Sequence, residues 1–580
     1  MGDIHIGSGH FTLNIRNSNF AAKKWWLAFT LPALIYFLIF AVYPMIGNVI
    51  LTFQKETPLG AYVFVGFKNY EELFYTPYLN KIIENSLIYT FVVPVIDLLL
   101  AIPLANFLKR LNKNFLLPLI LLPSFIPLVT GATIWILMLN PFYGITYFFY
   151  RKNLFTTIWS IVIMDVWSSL PLATLIIYSG LKSIPKNIEE ACNMDNIRGM
   201  KKFISIDIPF IRYQLLSAFI LMLIYGAFTF DPIYASLGIS TPFANIDLSY
   251  YSYQLFFGGQ LGFSAVLMTI MTIVSTVIAI FFVKLTLSKN KRVSKFHIRI
   301  PNKELQKYLV ILFTIVYLAF FLLPFIWLLL ESFKTYPELF TIPPQIVPVK
   351  WTLSNYIYSI IHGAPYFITS VIVAFLGSLL ALFIGIFAAY SSSKNRIWGT
   401  RFIGLVLFVY SIPLVIFMIP DYSILNFIHL INTWWGLILL YPVIVMPIII
   451  WMLYNFYSTF PKHYDEAAQM DGFTTFGSFR KIVLPLSIDG ILVAFLYAFV
   501  FAWGALIFPL AFTYSPFNMS FIYPFGAQTI TIFIGGALGH EAAQYGILAA
   551  ASILSTIPAF IIAFFVRSRI DQVWRGSGLK

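Results

Sequence analysis

Charge is what this 580-residue sequence has least of: 10% of its residues are Asp, Glu, Lys or Arg, against ~25% in an ordinary soluble domain. Hydrophobic residues make up 59% and aromatics 18%. A soluble chain of this length cannot hide so much apolar surface. That excludes a soluble enzyme, a disordered scaffold and a secreted domain, and it points to a polytopic membrane protein. Cysteine is nearly missing too. Cys192 is alone, so there is no internal disulfide framework and no cysteine-based metal site. No glycine is followed by lysine anywhere in the chain. The phosphate loop G-x-x-x-x-G-K-[ST] is therefore absent, and the chain is expected to hydrolyse no ATP alone. His362 and His540 fall in expected external loops, with no metal constellation. No Ser–His–Asp set or catalytic carboxylate pair stands out, so the reading is a non-enzyme.

What is present is apolar runs long enough to cross a bilayer, without the period-two alternation of a β-barrel. Twelve helical spans are expected, the first six at 25–53, 84–108, 115–140, 153–181, 210–238 and 262–286. The second six are 308–333, 366–391, 401–427, 433–459, 486–513 and 545–567. An even number puts both termini on one side. Of the 37 Lys and Arg, 30 fall in the tails and loops on that side and 7 on the other. This positive-inside bias makes both termini cytoplasmic, in a multi-pass protein of the cell membrane. The net charge of +14 is accounted for by topology and anionic inner-leaflet lipid, leaving nothing for a nucleic-acid partner to explain. The expected organisation is a cytoplasmic tail at 1–24, a six-helix half at 25–286, a basic linker at 287–307, a second half at 308–567 and a tail at 568–580.

The two halves are related. The stretches 184–209 (IPKNIEEACNMDNIRGMKKFISIDIP) and 460–485 (FPKHYDEAAQMDGFTTFGSFRKIVLP) align without a gap at an offset of 276, with 9 of 26 positions identical. Both join the fourth and fifth spans of their half on the cytoplasmic side. Equal span counts in one orientation place a pseudo-twofold axis along the membrane normal, where a substrate cavity is expected. Each loop opens with a proline suited to a helix start. Helix formers follow at Glu190-Ala191 or Glu466-Ala467. After Asp195 or Asp471 comes a residue that tolerates a left-handed helix end, Asn196 or Gly472. A second helical segment then runs to Pro209 or Pro485. One such loop reads as an interfacial connector. Two with identical spacing read as docking elements, the small residues admitting a partner and the glutamates meeting its arginine.

These motifs resemble the EAA loop of ABC importer permeases: Glu-Ala-Ala, a reversal, and nineteen residues from Glu to Pro, at Glu190–Pro209 and Glu466–Pro485. The stretches 64–90 and 121–149 resemble the first permease subunit of the maltose-type carbohydrate importers. The stretches 332–356, 430–439 and 545–570 resemble the second. The chain thus looks like two permease subunits fused through the basic linker, an all-α, type I importer-like fold of two six-helix repeats. The resemblance implies a permease that moves a sugar or oligosaccharide inward by alternating access. It also implies two separate ATP-binding subunits, which carry the ATP and Mg and couple to the loops through Glu190, Ala191, Asp195, Asn196 and Pro209 in the first and Glu466, Ala467, Asp471, Gly472 and Pro485 in the second. An external or periplasmic solute-binding protein would deliver the carbohydrate, and the chain itself would hold no cofactor. Cys192 and Asn196 depart from the usual second alanine and glycine, both conservatively. A permease for another solute, such as a polyamine or glycerol phosphate, and a twelve-helix secondary transporter stay open as alternatives. The secondary transporter leaves the duplicated loops unexplained.

Carboxylates inside spans cost ~2.5–3.5 kcal/mol at a helix centre and so mark cavities or partners. Asp97, Asp165 and Asp231 are the candidates. In the resembling permeases the solute is met by the fourth and fifth spans of the first half. That analogy assigns substrate contacts to Asp165, Trp167, Ser168, Ser169, Phe228 and Asp231. Carboxylates and hydroxyls suit sugar hydroxyls, and aromatic faces suit a pyranose C–H face. In the second half the family usually carries a polar residue after the fifth-span tryptophan. Here the chain reads Trp503-Gly504-Ala505, which puts a polar contact there in doubt. No Lys or Arg lies deep in any span, which disfavours a phosphate solute.

Overall fold

A computed structural model describes residues 12–57, 61–111, 122–149, 157–197, 199–227, 229–236, 245–287, 303–460, 463–518, 525–536 and 544–566. The described residues are helical nearly throughout, with one short antiparallel strand pair among them, Gln54–Glu56 against Tyr62–Phe64, after the first span. In hydrocarbon every backbone polar group must be paired within its own segment, so apolar runs of this length become helices. Among the described residues seven unbroken helices are long and apolar enough to cross a membrane: Trp25–Leu51, Leu79–Lys109, Ile158–Lys182, Leu261–Ile278, Ser354–Lys394, Trp434–Ser458 and Tyr545–Ile562. Two shorter apolar helices, Leu128–Leu139 and Val316–Ser332, occupy the third and seventh spans. The fifth, ninth and eleventh are bent pairs, Phe203–Phe210 with Arg212–Ala227, Trp398–Tyr410 with Leu414–Phe427, and Thr475–Leu486 with Ile488–Gly504. The protein is an all-α polytopic membrane protein whose long apolar helices fall in the expected segments, with the shorter helices Lys68–Phe74, Leu248–Phe257 and Ile530–Gly536 between them.

Two features differ from expectation. Helices outrun the apolar segments at three places, starting at Thr12, Lys303 and Ser354 rather than at 25, 308 and 366. Hydropathy marks only the part inside hydrocarbon, whereas intrahelical hydrogen bonds continue past its edge. Part of the expected tail and linker is therefore helical, while 288–302 and 567–580 lie outside the described residues. Secondly, four spans are interrupted midway. The third breaks at Pro127 (ψ 133°) between a 3-10 turn, Leu122–Phe125, and Leu128–Leu139. The ninth breaks at Pro413 (ψ 130°). The fifth stops at Ala227 and resumes as Asp231–Ser236, and the eleventh stops at Gly504 and resumes as Ile507–Phe512. The third and ninth breaks each hold a proline, which lacks a donor and pushes its predecessor out of the α region, whereas Pro232 and Pro509 sit in the first turn of the resumed helices, where a missing donor costs no hydrogen bond.

The halves hold each other by exchanging their first spans. The first span packs on the second half: Trp26 lies 5.7 Å from Trp398, Phe29 packs edge-on to Phe387 at 5.5 Å, and the Tyr36 hydroxyl donates to the Leu439 carbonyl at 2.7 Å. The seventh span returns the contact, with Phe320 against Trp135 at 5.5 Å and Phe325 against Trp167 at 5.6 Å. Within each half, glycine permits the closest approach. A Cβ on Gly226 would sit 2.5 Å from the Tyr89 carbonyl oxygen, and one on Gly377 would sit 2.7 Å from Tyr441 Cβ.

Candidate functional site

The two repeated loops fold alike, boundary for boundary. Lys186–Met194 and His463–Met470 are short helices. Both end in the same double hydrogen bond. Asp195 N–H donates to Ala191 O and Ile197 N–H to Cys192 O, while Asp471 N–H donates to Ala467 O and Phe473 N–H to Ala468 O. That pattern needs a left-handed residue between, supplied by Asn196 at φ 51° and Gly472 at φ 79°. Gly199–Lys202 and Thr475–Ser478 follow. Next come π-helical turns at Phe203–Asp207 and Phe479–Val483, then three-residue helices with Pro209 and Pro485 in their first turn. The chain then bends, by 66° and 75°, into the fifth and eleventh spans.

Each loop buries one face and bares the other. Cys192 and Ala468 turn inward, and Glu190, Ala191, Asp195, Asn196, Glu466, Ala467, Asp471 and Gly472 are exposed. Phe479 anchors the second loop against Phe387 and Tyr390. The first loop has an ionic anchor instead. Lys109, at the C-terminal end of the second span, meets Glu189 at 2.8 Å, and Lys202 meets it at 3.5 Å. The hydrogen bond from Lys109, helped by the charges of Lys109 and Lys202 against some burial, holds the Glu189 carboxyl below the usual range. Sequence reasoning missed the tips. Met194 and Met470 are 87% and 89% exposed. Paired bare methionines are exposed apolar surface of the adaptable kind that suits a protein contact, and their signal was present in the repeat as one of the nine identities.

A cavity of about 310 Å³ lies between the halves, walled by all four interrupted spans. Asp165, Ser168 and Ser169 of the fourth span and Tyr225, Thr229 and Asp231 of the fifth form one side. Tyr410, Val443, Ile444, Leu496, Tyr497, Val500 and Phe501 form the other, with Gly504 and Ala505. Hydrogen bonds fix the first side. Thr229 donates to Asp165 Oδ2 at 2.7 Å, the Ser168 and Tyr225 hydroxyls are 3.0 Å apart, and Ser169 reaches Asp97 Oδ2 at 2.7 Å. Asp97 sits behind the wall, fully buried. Trp167, expected at the solute, is not on the wall. Its ring is fully buried between Trp135 and Phe325, because it sits on the fourth-span face that packs against the third and seventh spans. Phe228 lies outside the described residues. Also missed were Pro127 and Pro413. They sit in a repeated Ile-Pro-Leu-Val, 126–129 and 412–415, whose recurrence is visible in the sequence.

The family described as binding-protein-dependent transport system inner membrane component matches twice, over residues 97–292 and 381–575. Among relatives, the chain is similar to the sulfoquinovosyl glycerol transport system permease protein SmoH of Agrobacterium fabrum. The two are 30% identical over 45% of this chain and 89% of that one. The trehalose transport system permease protein SugB of Mycobacterium tuberculosis is 30% identical over 45% of this chain and 93% of its own length. The trehalose/maltose transport system permease protein MalG of Thermococcus litoralis is 30% identical over 48% and 99%. A bacterial ABC transporter involved in import of the acidic polysaccharide alginate aligns in structure, with TM-score 0.42 and 20% identity over 48% of this chain and 100% of that one. Each relative is matched by about half of this chain.

Proposed function

The chain belongs to the binding-protein-dependent transport system inner membrane component family, twice over, and on that premise we propose that it is the permease of a sugar or oligosaccharide importer, with two permease units fused in one chain. Two ATP-binding subunits made elsewhere dock on the repeated loops and supply the ATP and Mg chemistry. An external solute-binding protein delivers the sugar to the opposite face. Both termini and both loops are cytoplasmic, in the cell membrane. The relatives named for sugar transport support the solute class. The observation that carries the mechanism is the pair of loops with identical backbone paths and bare Glu190-Ala191 and Glu466-Ala467 faces.

Closure of the ATP-binding subunits drives the loops together. Each loop enters its fifth or eleventh span through a continuous π-helical turn and bend, so loop motion reaches the interrupted segments that wall the cavity. Asp165, Ser168, Ser169 and Asp231 hold the solute there; Trp167 supports the wall from behind. The test is co-purification with candidate ATP-binding subunits and measurement of ATP turnover stimulated by the loaded binding protein. Glu190→Lys with Glu466→Lys should abolish both complex formation and stimulated turnover. Unchanged turnover in the double variant would refute the docking assignment.

A further inference from the structure

The cavity is lopsided in a way that sorts solutes by charge. Its first-half side carries Asp165 and Asp231. Asp231 is 8% exposed as a residue, and its carboxylate makes no hydrogen bond to another described residue. Asp97 stands immediately behind, through Ser169. The facing side is aliphatic and aromatic. Among the described lining residues there is no Lys, Arg or His. An anion entering this chamber would surrender its water, find no cation to replace it and meet carboxylates at short range. A hydroxyl or ammonium would instead donate to those carboxylates in charge-assisted hydrogen bonds. The relatives' names cover different solutes, so similarity leaves the charge class open and the wall decides it.

We infer that the cavity excludes anionic solutes and accepts an uncharged or cationic solute rich in hydrogen-bond donors, with Asp165 and Asp231 setting the preference. This rests on the cavity being the solute path proposed above. Field lines from carboxylates focus in a narrow, low-dielectric cleft, so the preference extends to any small ion that enters.

The single cysteine gives a direct test. Cys192 is buried, and Cys192→Ala copies Ala468 at the matching buried position, leaving a full-length chain without thiols. One cavity thiol is then placed on the apolar side by Leu496→Cys or on the acidic side by Leu172→Cys. Purified protein is reacted with a cationic and an anionic methanethiosulfonate reagent, each rate normalised to a free thiol in the same buffer. The cationic reagent should react faster by roughly tenfold or more. That ratio should fall to the free-thiol value when Asp165→Asn and Asp231→Asn are added. Should the double variant fail to fold, Asp231→Asn alone gives a partial fall, since its carboxylate holds no described partner in place. A ratio at the free-thiol value in both thiol positions overturns the inference, as does a ratio that survives neutralisation. A thiol that neither reagent reaches overturns it too, because a chamber closed to both charges sorts neither. The readout needs no solute or partner subunit, so its failure is separate from failure of the importer reading, which is seen in complex formation.

Discussion

Two residues turn the repeated loops by different means. Gly472 has φ 79°, and nothing lies within 4 Å of where its Cβ would be, so Gly472→Ala isolates backbone strain. A left-handed L-residue costs ~1–2 kcal/mol, and the variant should loosen the helix end by that order. Amide hydrogen exchange at Phe473, whose N–H donates to Ala468 O, should quicken accordingly. Asn196→Gly, starting from a residue type that already tolerates φ 51°, should leave exchange at Ile197 nearly unchanged. The Lys109–Glu189 pair makes a second prediction. A carboxyl held low in the folded state contributes stability above its unfolded pKa and loses it as pH falls through the folded value. The pair is therefore fully in place at neutral pH. Its side chains are 19% and 36% exposed, so solvent screens it, and Glu189→Gln should cost ~0.2–1 kcal/mol at pH ~7. The difference in thermal midpoint between the two proteins should shrink below pH ~4. At this scale the position of Asp165 and Asp231 on a cavity wall was legible, because a carboxylate in an apolar run is expensive to insert. Trp167 was not, because an indole packs between helices as readily as against a solute. Met194 and Met470 were visible as repeats, but an apolar residue carries no docking signal until its exposure is known.

At the scale of elements, the repeated loops were readable to within a residue because their prolines, reversal residues and spacing constrain the backbone locally. The interrupted spans were not. Hydropathy averages across a break, and proline alone does not mark one. Pro32, Pro94, Pro171, Pro324, Pro447 and Pro558 all sit inside continuous helices. Inside a continuous helix a carbonyl freed by proline needs only a local substitute, whereas a full break is tolerated only where backbone is shielded by protein or lines a cavity. Pro127 and Pro413 meet that second condition, both lying on the cavity wall. Restoring a donor and an α-compatible predecessor should let these helices run further into the chamber. Pro127→Ala with Pro413→Ala is expected to preserve complex formation with the ATP-binding subunits and basal ATP turnover while reducing solute-stimulated turnover severalfold. Equal loss of basal turnover would place the effect in the loops rather than the cavity.

For the whole molecule, fusion raises the question of what joins the halves: the covalent linker or the packing. The exchanged first spans argue for packing. Trp26 and Phe29 of the first half are embedded among Trp398, Phe387 and Phe479, and Phe320 and Phe325 of the second half are embedded against Trp135 and Trp167. Thr130 and Ser555 add a hydroxyl pair at 3.0 Å across the same boundary. In lipid, where apolar surface alone gives no preference for helix over acyl chain, such shape-matched contacts and hydrogen bonds hold helices together. Several aromatic pairs at ~0.5–1.5 kcal/mol each, acting from both sides, suffice without a tether. A protease site inserted within 288–302, between the helices ending at Leu287 and beginning at Lys303, should therefore be cleavable in the purified protein with no loss of assembly. The two fragments should co-elute on size exclusion in detergent and keep stimulated turnover within about twofold, a change of ~0.4 kcal/mol. Adding Trp26→Ala and Phe29→Ala should make the cut molecule, but not the intact one, come apart. Dissociation of the cut wild-type protein would mean that the linker holds together what the exchanged spans were argued to hold, and that the two halves act as one permease only because the chain joins them.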